Sequence, residues 1–236
     1  DDNPVECEEV RRSLPMVTVI ELPPQPERYS EVLLQESLFD TLGLTDEDRR
    51  RGELYRQRAE AEALRASIGS VEDYYRDLQM ELSLAPVDRI SLPRAAQLTQ
   101  KTNQFNATTR RYSEADVEQR TSDASWVVTS IGVRDRFGDN GIVGLVMAHC
   151  EDGVLNVDTF LLSCRVIGRG VETAMLAHLC DRARAADARA LSATIIPTNK
   201  NEPVRDLFAR HGFAKVSEEA DGTTRWTFDV TRSGIA

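Results

Sequence analysis

The chain has 236 residues, 41% of them hydrophobic, and its 39 acidic side chains against 29 basic ones give a net charge of −10. Such a chain can build a core for one large domain with appendages, while the acidic balance speaks against nucleic acid or an anionic membrane surface as partner. No apolar run approaches the roughly 18 residues that span a bilayer, and the opening "DDNPVECEEVRR" lacks signal-peptide character, so a cytoplasmic address is expected.

In chain order, "NPVECEEVRRSLP" reads as a turn and a short helix, "MVTVIELP" as a strand and "PPQPERY" as an exit loop, the pattern expected of the tail of a domain. From Ser30 to Leu82 the spacing is helical and densely charged, with Thr45 placed to cap a helix and Gly69 to end one, so two or three linker helices are predicted. After Pro93 comes a short helix, then the apolar or alternating runs "ASWVVTSIGVRD", "GIVGLVMAHC" and "GVLNVDTFLLSC", separated by the turns "RFGDNG" and "EDG". A helix from about Gly170 to Ala186, a strand "ALSATIIP", a helix from about Glu202 to His211 and two strands, "FAKVSE" and "TRWTFDV", complete the chain. The order predicts an α/β mixed sheet with helices on both faces.

Cys7, Cys150, Cys164 and Cys180 form no C-x-x-C pair, and His149, His178 and His211 have no ligand four residues away. Neither a disulfide framework nor a zinc site is expected.

The richest stretch is "LLSCRVIGRGVETAML". Arg165, Gly168 and Gly170 form R-x-x-G-x-G between a strand and a helix, where backbone N–H groups and a helix N-terminus can approach a phosphate, although glycine turns also arise for steric reasons alone. Cys164 packs as a small hydrophobe in one reading; in the other, Arg165 and the helix start favour its thiolate, the nucleophilic form, with His149 as a candidate base.

Downstream, "NEPVRDLFARHGF" resembles the N-x-x-A-x-x-x-Y-x-x-x-G-F pattern of the GNAT acyltransferase superfamily, keeping Asn201, Gly212 and Phe213, with Val204 for the alanine and Phe208 for the tyrosine. The resemblance implies that Arg165, Val166, Gly168, Arg169 and Gly170 hold the pyrophosphate of coenzyme A (CoA) or the phosphopantetheine of a carrier protein. It places Cys164 near the splay of two strands where donor and acceptor meet. The tyrosine often acts there as general acid; Phe208 has no hydroxyl, which puts ordinary amine acetylation in doubt.

"LTQKTNQFNATTRRYSEADV", "RFGDNGIVG", "FLLSCRVIGRGVE" and "IPTNKNEPVRDLF" are similar to the C-terminal half of FkbH-like proteins, and "DDNPVECEEVRRSLPMV" resembles the last motif of their HAD phosphatase half. This implies a HAD remnant over residues 1–29, a helical linker over 30–93 and a GNAT-like domain over 94–236. It also implies transfer of a glyceryl group from 1,3-bisphosphoglycerate, through a Cys164 thioester, to the phosphopantetheine of an acyl carrier protein in polyketide biosynthesis. Asp139 and Asn199 join Cys164 as candidate catalytic residues, and Gln104, Asn106, Thr108, Thr198 and Asn201 as candidate substrate-binding ones. Capping and turn formation explain several of these equally well. Asp1 and Asp2 are implied as Mg²⁺ ligands only in a complete HAD domain. Two rival readings remain: a GNAT acetyltransferase using acetyl-CoA on an amine or hydroxyl, and a noncatalytic carrier-docking module.

Overall fold

A computed structural model describes residues 1–36, 52, 56, 59, 60, 70–231 and 235. The chain divides into two compact units, Asp1–Gly52 and Glu53–Ala236. Thr45 and Gly69, and most of the expected linker helices, lie outside the described residues.

In the first unit, helix α1 (Pro4–Ser13) starts where the Asn3 side chain accepts from the Val5 N–H, with proline in the first turn and Arg11 and Arg12 in the last. A 3₁₀ turn (Pro26–Arg28) leads into α2 (Tyr29–Gln35). The strand expected at "MVTVIELP" is not formed among the described residues. A strand needs a neighbour for its ladder, and this segment instead meets the chain start: the Leu22 N–H bonds to the Asp1 carbonyl at 2.8 Å.

The second unit contains α3 (Val71–Leu78), capped by Ser70, and is built on a sheet of β1 (Glu81–Pro86), β2 (Phe105–Asn106), β3 (Trp126–Asp135), β4 (Gly138–Glu151), β5 (Val154–Leu162), β6 (Ala190–Ile195), β7 (Ala214–Glu218) and β8 (Thr224–Asp229). Its order is β1-β3-β4-β5-β6-β8-β7, with β2 on β5. Every pairing is antiparallel except β5 with β6, which helix α6 (Val171–Ala185) connects. On the other face lie α4 (Leu92–Lys101) and α5 (Glu114–Thr121), the latter started by a Ser113/Asp116 capping box.

The central strands are buried on both faces, which is why they read as apolar runs. Val146 and Ala148 of β4 join the α6 side of the core, whereas Leu145 and Met147 pack with Ala95, Leu98 and Val117 of α4 and α5. β1 lies inside the stretch expected as helical linker: as an edge strand with half-exposed alternation it carries only a faint signal, and its Leu82 and Leu84 pack on the core. The single helix expected from Glu202 to His211 is instead a 3₁₀ turn (Glu202–Val204) followed by a short α7 (Leu207–Arg210).

One pH effect follows from α6. His178 Nε2 lies 3.1 Å from the Thr129 hydroxyl, and burial, reinforced by Arg182, holds the imidazole below its usual 6.5. The unfolded chain therefore takes up the proton first: the stabilising contribution is complete above about pH 6.5 and is lost as pH falls through the lowered value. Urea midpoints measured from pH 7.5 down to 5 should drop, and His178→Gln should flatten that part of the profile; an unchanged slope contradicts the assignment.

Candidate functional site

The site is organised by the divergence of β5 and β6. Their parallel pairing ends at Val157 opposite Ala193. Immediately afterwards β5 carries a bulge, since Met147 pairs with Thr159 and Ala148 with Val157, leaving Asp158 as the extra residue. Past this point the edge of β5 that β6 has left is occupied by the chain itself. Phe105 pairs with Leu162 and Asn106 with Leu161, the Ala107 N–H bonds to the Phe160 carbonyl at 3.0 Å, and the Ile196 N–H bonds to the Ala107 carbonyl at 2.8 Å.

Polar residues lock this insert. Asn201, fully buried, donates to the carbonyls of Asn106 (3.0 Å) and Ile196 (2.9 Å) and accepts from the Thr198 N–H (2.7 Å). Asn106, also fully buried, donates to the Thr102 carbonyl and accepts from the Thr109 N–H. The Thr108 hydroxyl donates to the Asp158 carbonyl at 2.9 Å, and the Thr198 hydroxyl accepts from the N–H groups of Lys200 and Asn201. Asn106, Thr108, Thr198 and Asn201, four of the five residues expected to bind substrate, are therefore engaged in holding loops, because a buried amide or hydroxyl must find partners and backbone supplies them; the Asn201 side chain does not cap the helical turn that follows it.

At the mouth of the cleft is a cavity of about 580 Å³ lined by Lys101, Gln104, Leu162, Cys164, Asn199 and Lys200, among others. Cys164 is an exposed free thiol just past the end of β5. Cys164, Gln104 and Asn199, from three separate motifs, are thus brought together. Lys101 and Lys200, which the sequence reading missed, are the charged residues of the lining among the described residues.

The loop after β5 is anchored rather than free. The Ser163 N–H bonds to the Val143 carbonyl at 2.7 Å and the Val166 N–H to the Ser163 carbonyl at 3.2 Å. The Val166 side chain is fully buried, so its side chain and N–H are both engaged within the protein. Arg165 Nε donates to the Ser163 hydroxyl at 3.2 Å. Arg169 points into an ion pair with Asp135 at 3.0 Å, and Asn140 donates to the same carboxylate at 3.2 Å. Arg169 is therefore a brace between the loop and the β3–β4 hairpin. Asp139 is exposed in β4, opposite Arg134 of β3, and accepts from the Gly141 N–H. Gly168 and Gly170 have φ of +74° and +79°, with no atom within 4 Å of where a side chain would begin; glycine is needed there for the left-handed backbone. No side chain caps α6.

His149 is displaced from the role of base. It pairs with Asn156 and stacks on Trp126 at 5.0 Å, six residues along β4 from Val143, the neighbour of Ser163, a separation of about 20 Å in a strand. Phe208 is fully buried against Phe160, Phe213 and Trp226. At the bulge, Asp158 accepts from the Tyr112 hydroxyl at 2.8 Å and pairs with Arg110, and burial followed by that hydrogen bond raises the Tyr112 phenol above 10.0. An aspartate within the apolar run "VDTFLL" was the available sequence signal for this cluster.

For Mg²⁺, Asp1 accepts from the Asn3 N–H and Asp2 from the Tyr29 hydroxyl. Among the described residues no group of three His, Cys, Asp or Glu side chains could hold a metal, so the residues present do not fit Mg²⁺.

No protein-family model matches the chain, and no curated protein matches it. Among solved structures, a GNAT-family protein from Desulfovibrio desulfuricans is similar over 64% of this chain and 99% of its own, with 13% identity and a TM-score of 0.50. The fold is that of the GNAT acetyltransferases. Also similar are a GNAT-superfamily phosphinothricin acetyltransferase from Sinorhizobium meliloti, solved with acetyl-CoA (18% identity, 63% of this chain and 88% of that one, TM-score 0.49), and the GNAT domain of PAT from S. lividans (20%, 62% and 89%, 0.48). The GNAT likeness does not extend to a HAD remnant, a helical linker or an FkbH-like assignment. Among the described residues no helix is long and apolar enough to cross a membrane.

Proposed function

We propose that the chain is a GNAT-fold acyltransferase whose acyl donor is a thioester of CoA or of a carrier protein's phosphopantetheine. The observation that carries this is the loop 163–170: two left-handed glycines with open space beside them run into the uncapped N-terminus of a 15-residue helix, next to the cavity of Cys164. Backbone N–H groups and the positive end of the helix dipole suit the donor's phosphates. In the simplest form the acyl group passes directly from acetyl-CoA to an amine or hydroxyl, without proton donation by residue 208. Calorimetric titration tests the donor. Direct transfer predicts that CoA binds at least about tenfold more tightly than pantetheine, and equal affinities favour a carrier.

A second reading, relay through Cys164, is favoured by the cavity: an exposed thiol, neutral amides from Gln104 and Asn199, and two lysines suited to an anionic acyl donor. The Cys164 sulfur, its proton passing to solvent, attacks the acyl carbon of an acyl phosphate such as 1,3-bisphosphoglycerate. A C–S bond forms, the C–O bond to phosphate breaks and phosphate leaves. The phosphopantetheine thiolate then attacks the same carbon and Cys164 departs as thiolate. Exchange between sulfurs of similar basicity needs no strong acid, which accommodates Phe208. Incubation with 1,3-bisphosphoglycerate should leave a 3-phosphoglyceryl mass on the tryptic peptide carrying Cys164, because only the phosphate on the acyl carbon is displaced. Full transfer by Cys164→Ala rejects the relay, and carrier binding without any adduct or transfer points to a docking module.

A further inference from the structure

A strand edge vacated by its neighbour offers a row of N–H and C=O groups on which an extended, amide-bearing ligand can dock by adding itself as a strand. The divergence of β5 and β6 creates such an edge on β5, and a pantetheine arm has the chemistry to use it. The edge is taken: Phe105 and Asn106 pair with Leu162 and Leu161, and Ala107 bonds to Phe160 on one side and Ile196 on the other. This insert is part of the core. Residues 105–108 are buried, Phe105 packs beside Phe160 at 6.4 Å between ring centres, and the polar side chains of Asn106, Thr108 and Asn201 are each satisfied by backbone groups of the cleft walls. Lifting it would expose Phe105 and leave those amides without partners.

We propose that segment 105–108 is a permanent plug of the β5–β6 cleft, and that a pantetheine-type arm docks in the mouth cavity between Gln104 and Asn199 with its sulfur end at Cys164. This rests on the thioester-donor reading above and specifies where that donor binds. The mouth is the place left open: Leu162 is the last β5 residue paired with the plug, and it lines the cavity together with Cys164. A bound arm therefore covers the thiol without disturbing the plug.

Two readouts on the whole chain test this, with the S-methyl thioethers of CoA and of pantetheine as probes, whose blocked sulfur does not consume maleimide. Alkylation of Cys164 by N-ethylmaleimide, followed by peptide mapping, should slow at least about fivefold when either probe is bound, while hydrogen exchange at the amides of Ala107 and Ile196 stays unchanged. Asn201→Ala, which loosens the plug, should leave the affinity for either probe within about twofold. If binding instead requires an unplugged minor state, populating that state tightens the apparent affinity, by about tenfold or more for a substantial loosening. Such tightening, accelerated exchange at Ala107 and Ile196 on binding, or an unprotected Cys164 beneath a bound probe would overturn the plug while leaving the donor reading intact. Should Asn201→Ala not fold, exchange and alkylation on the unaltered chain decide. Absence of heat and of protection with both probes removes the donor reading and this inference with it.

Discussion

Phe208→Ala should lower the stability of unit Glu53–Ala236 by about 3–5 kcal/mol, the range for truncating a large buried aromatic. The ring has no exposed surface and sits 5.0 Å from Phe213, 6.3 Å from Phe160 and 6.5 Å from Trp226, centre to centre. It also tethers α7, which spans only Leu207–Arg210 and cannot persist without tertiary packing. Denaturant unfolding followed by tryptophan fluorescence measures the loss; a change below about 1 kcal/mol would mean the cluster collapses around the gap. The companion Phe208→Tyr separates packing from chemistry. A hydroxyl placed among these rings without a partner costs about 1–3 kcal/mol. Acyl transfer should not accelerate, because an acid at this position is sealed from the cleft. A rate gain would show that the ring reaches the reacting atoms.

The same residue illustrates what sequence could convey. The strand, glycine loop and helix around Cys164 were legible because their signals are local: a two-sided apolar strand, glycines at required left-handed positions, then helical spacing. Bringing Gln104, Cys164 and Asn199 to one cavity was also within reach, since each lies in a separate polar motif. Separating them from Asn106, Thr108, Thr198 and Asn201 was not. All are small polar residues in the same motifs, and only long-range bonds, such as Asn201 to Asn106 across 95 positions, decide which face a ligand and which hold backbone. β2 is two residues long and has no period of its own; it is a strand only because β5 has lost a neighbour. Lys101 and Lys200 read as solvated charge until the fold sets them around one cavity.

Asp135→Ala tests the brace of the glycine loop. The carboxylate and the Arg169 guanidinium are both largely buried, at 3% and 11% side-chain exposure, and the Asp135 oxygens also receive the Phe137 N–H and the Asn140 amide. Removing one partner leaves an uncompensated charge and should destabilise the fold by about 3–5 kcal/mol. Replacing both, as Asp135→Leu with Arg169→Met, should recover much of that, because two apolar side chains of similar volume leave no charge to desolvate. The effect on ligand binding discriminates further. If loop 163–170 takes the donor's phosphates as proposed, deleting a nearby anion should by simple attraction tighten CoA, whereas loss of the brace lets residues 163–170 and the start of α6 move and should weaken it. Positioning dominates in this geometry, since Arg169 is a buried side-chain tie between the loop and the β3–β4 hairpin. Calorimetry should therefore show CoA binding weakened about tenfold in Asp135→Ala, by the same logic of preorganisation that makes ordered loops bind well. Tighter binding in that variant would mean the carboxylate acts on the ligand through its charge and the loop keeps its shape without it.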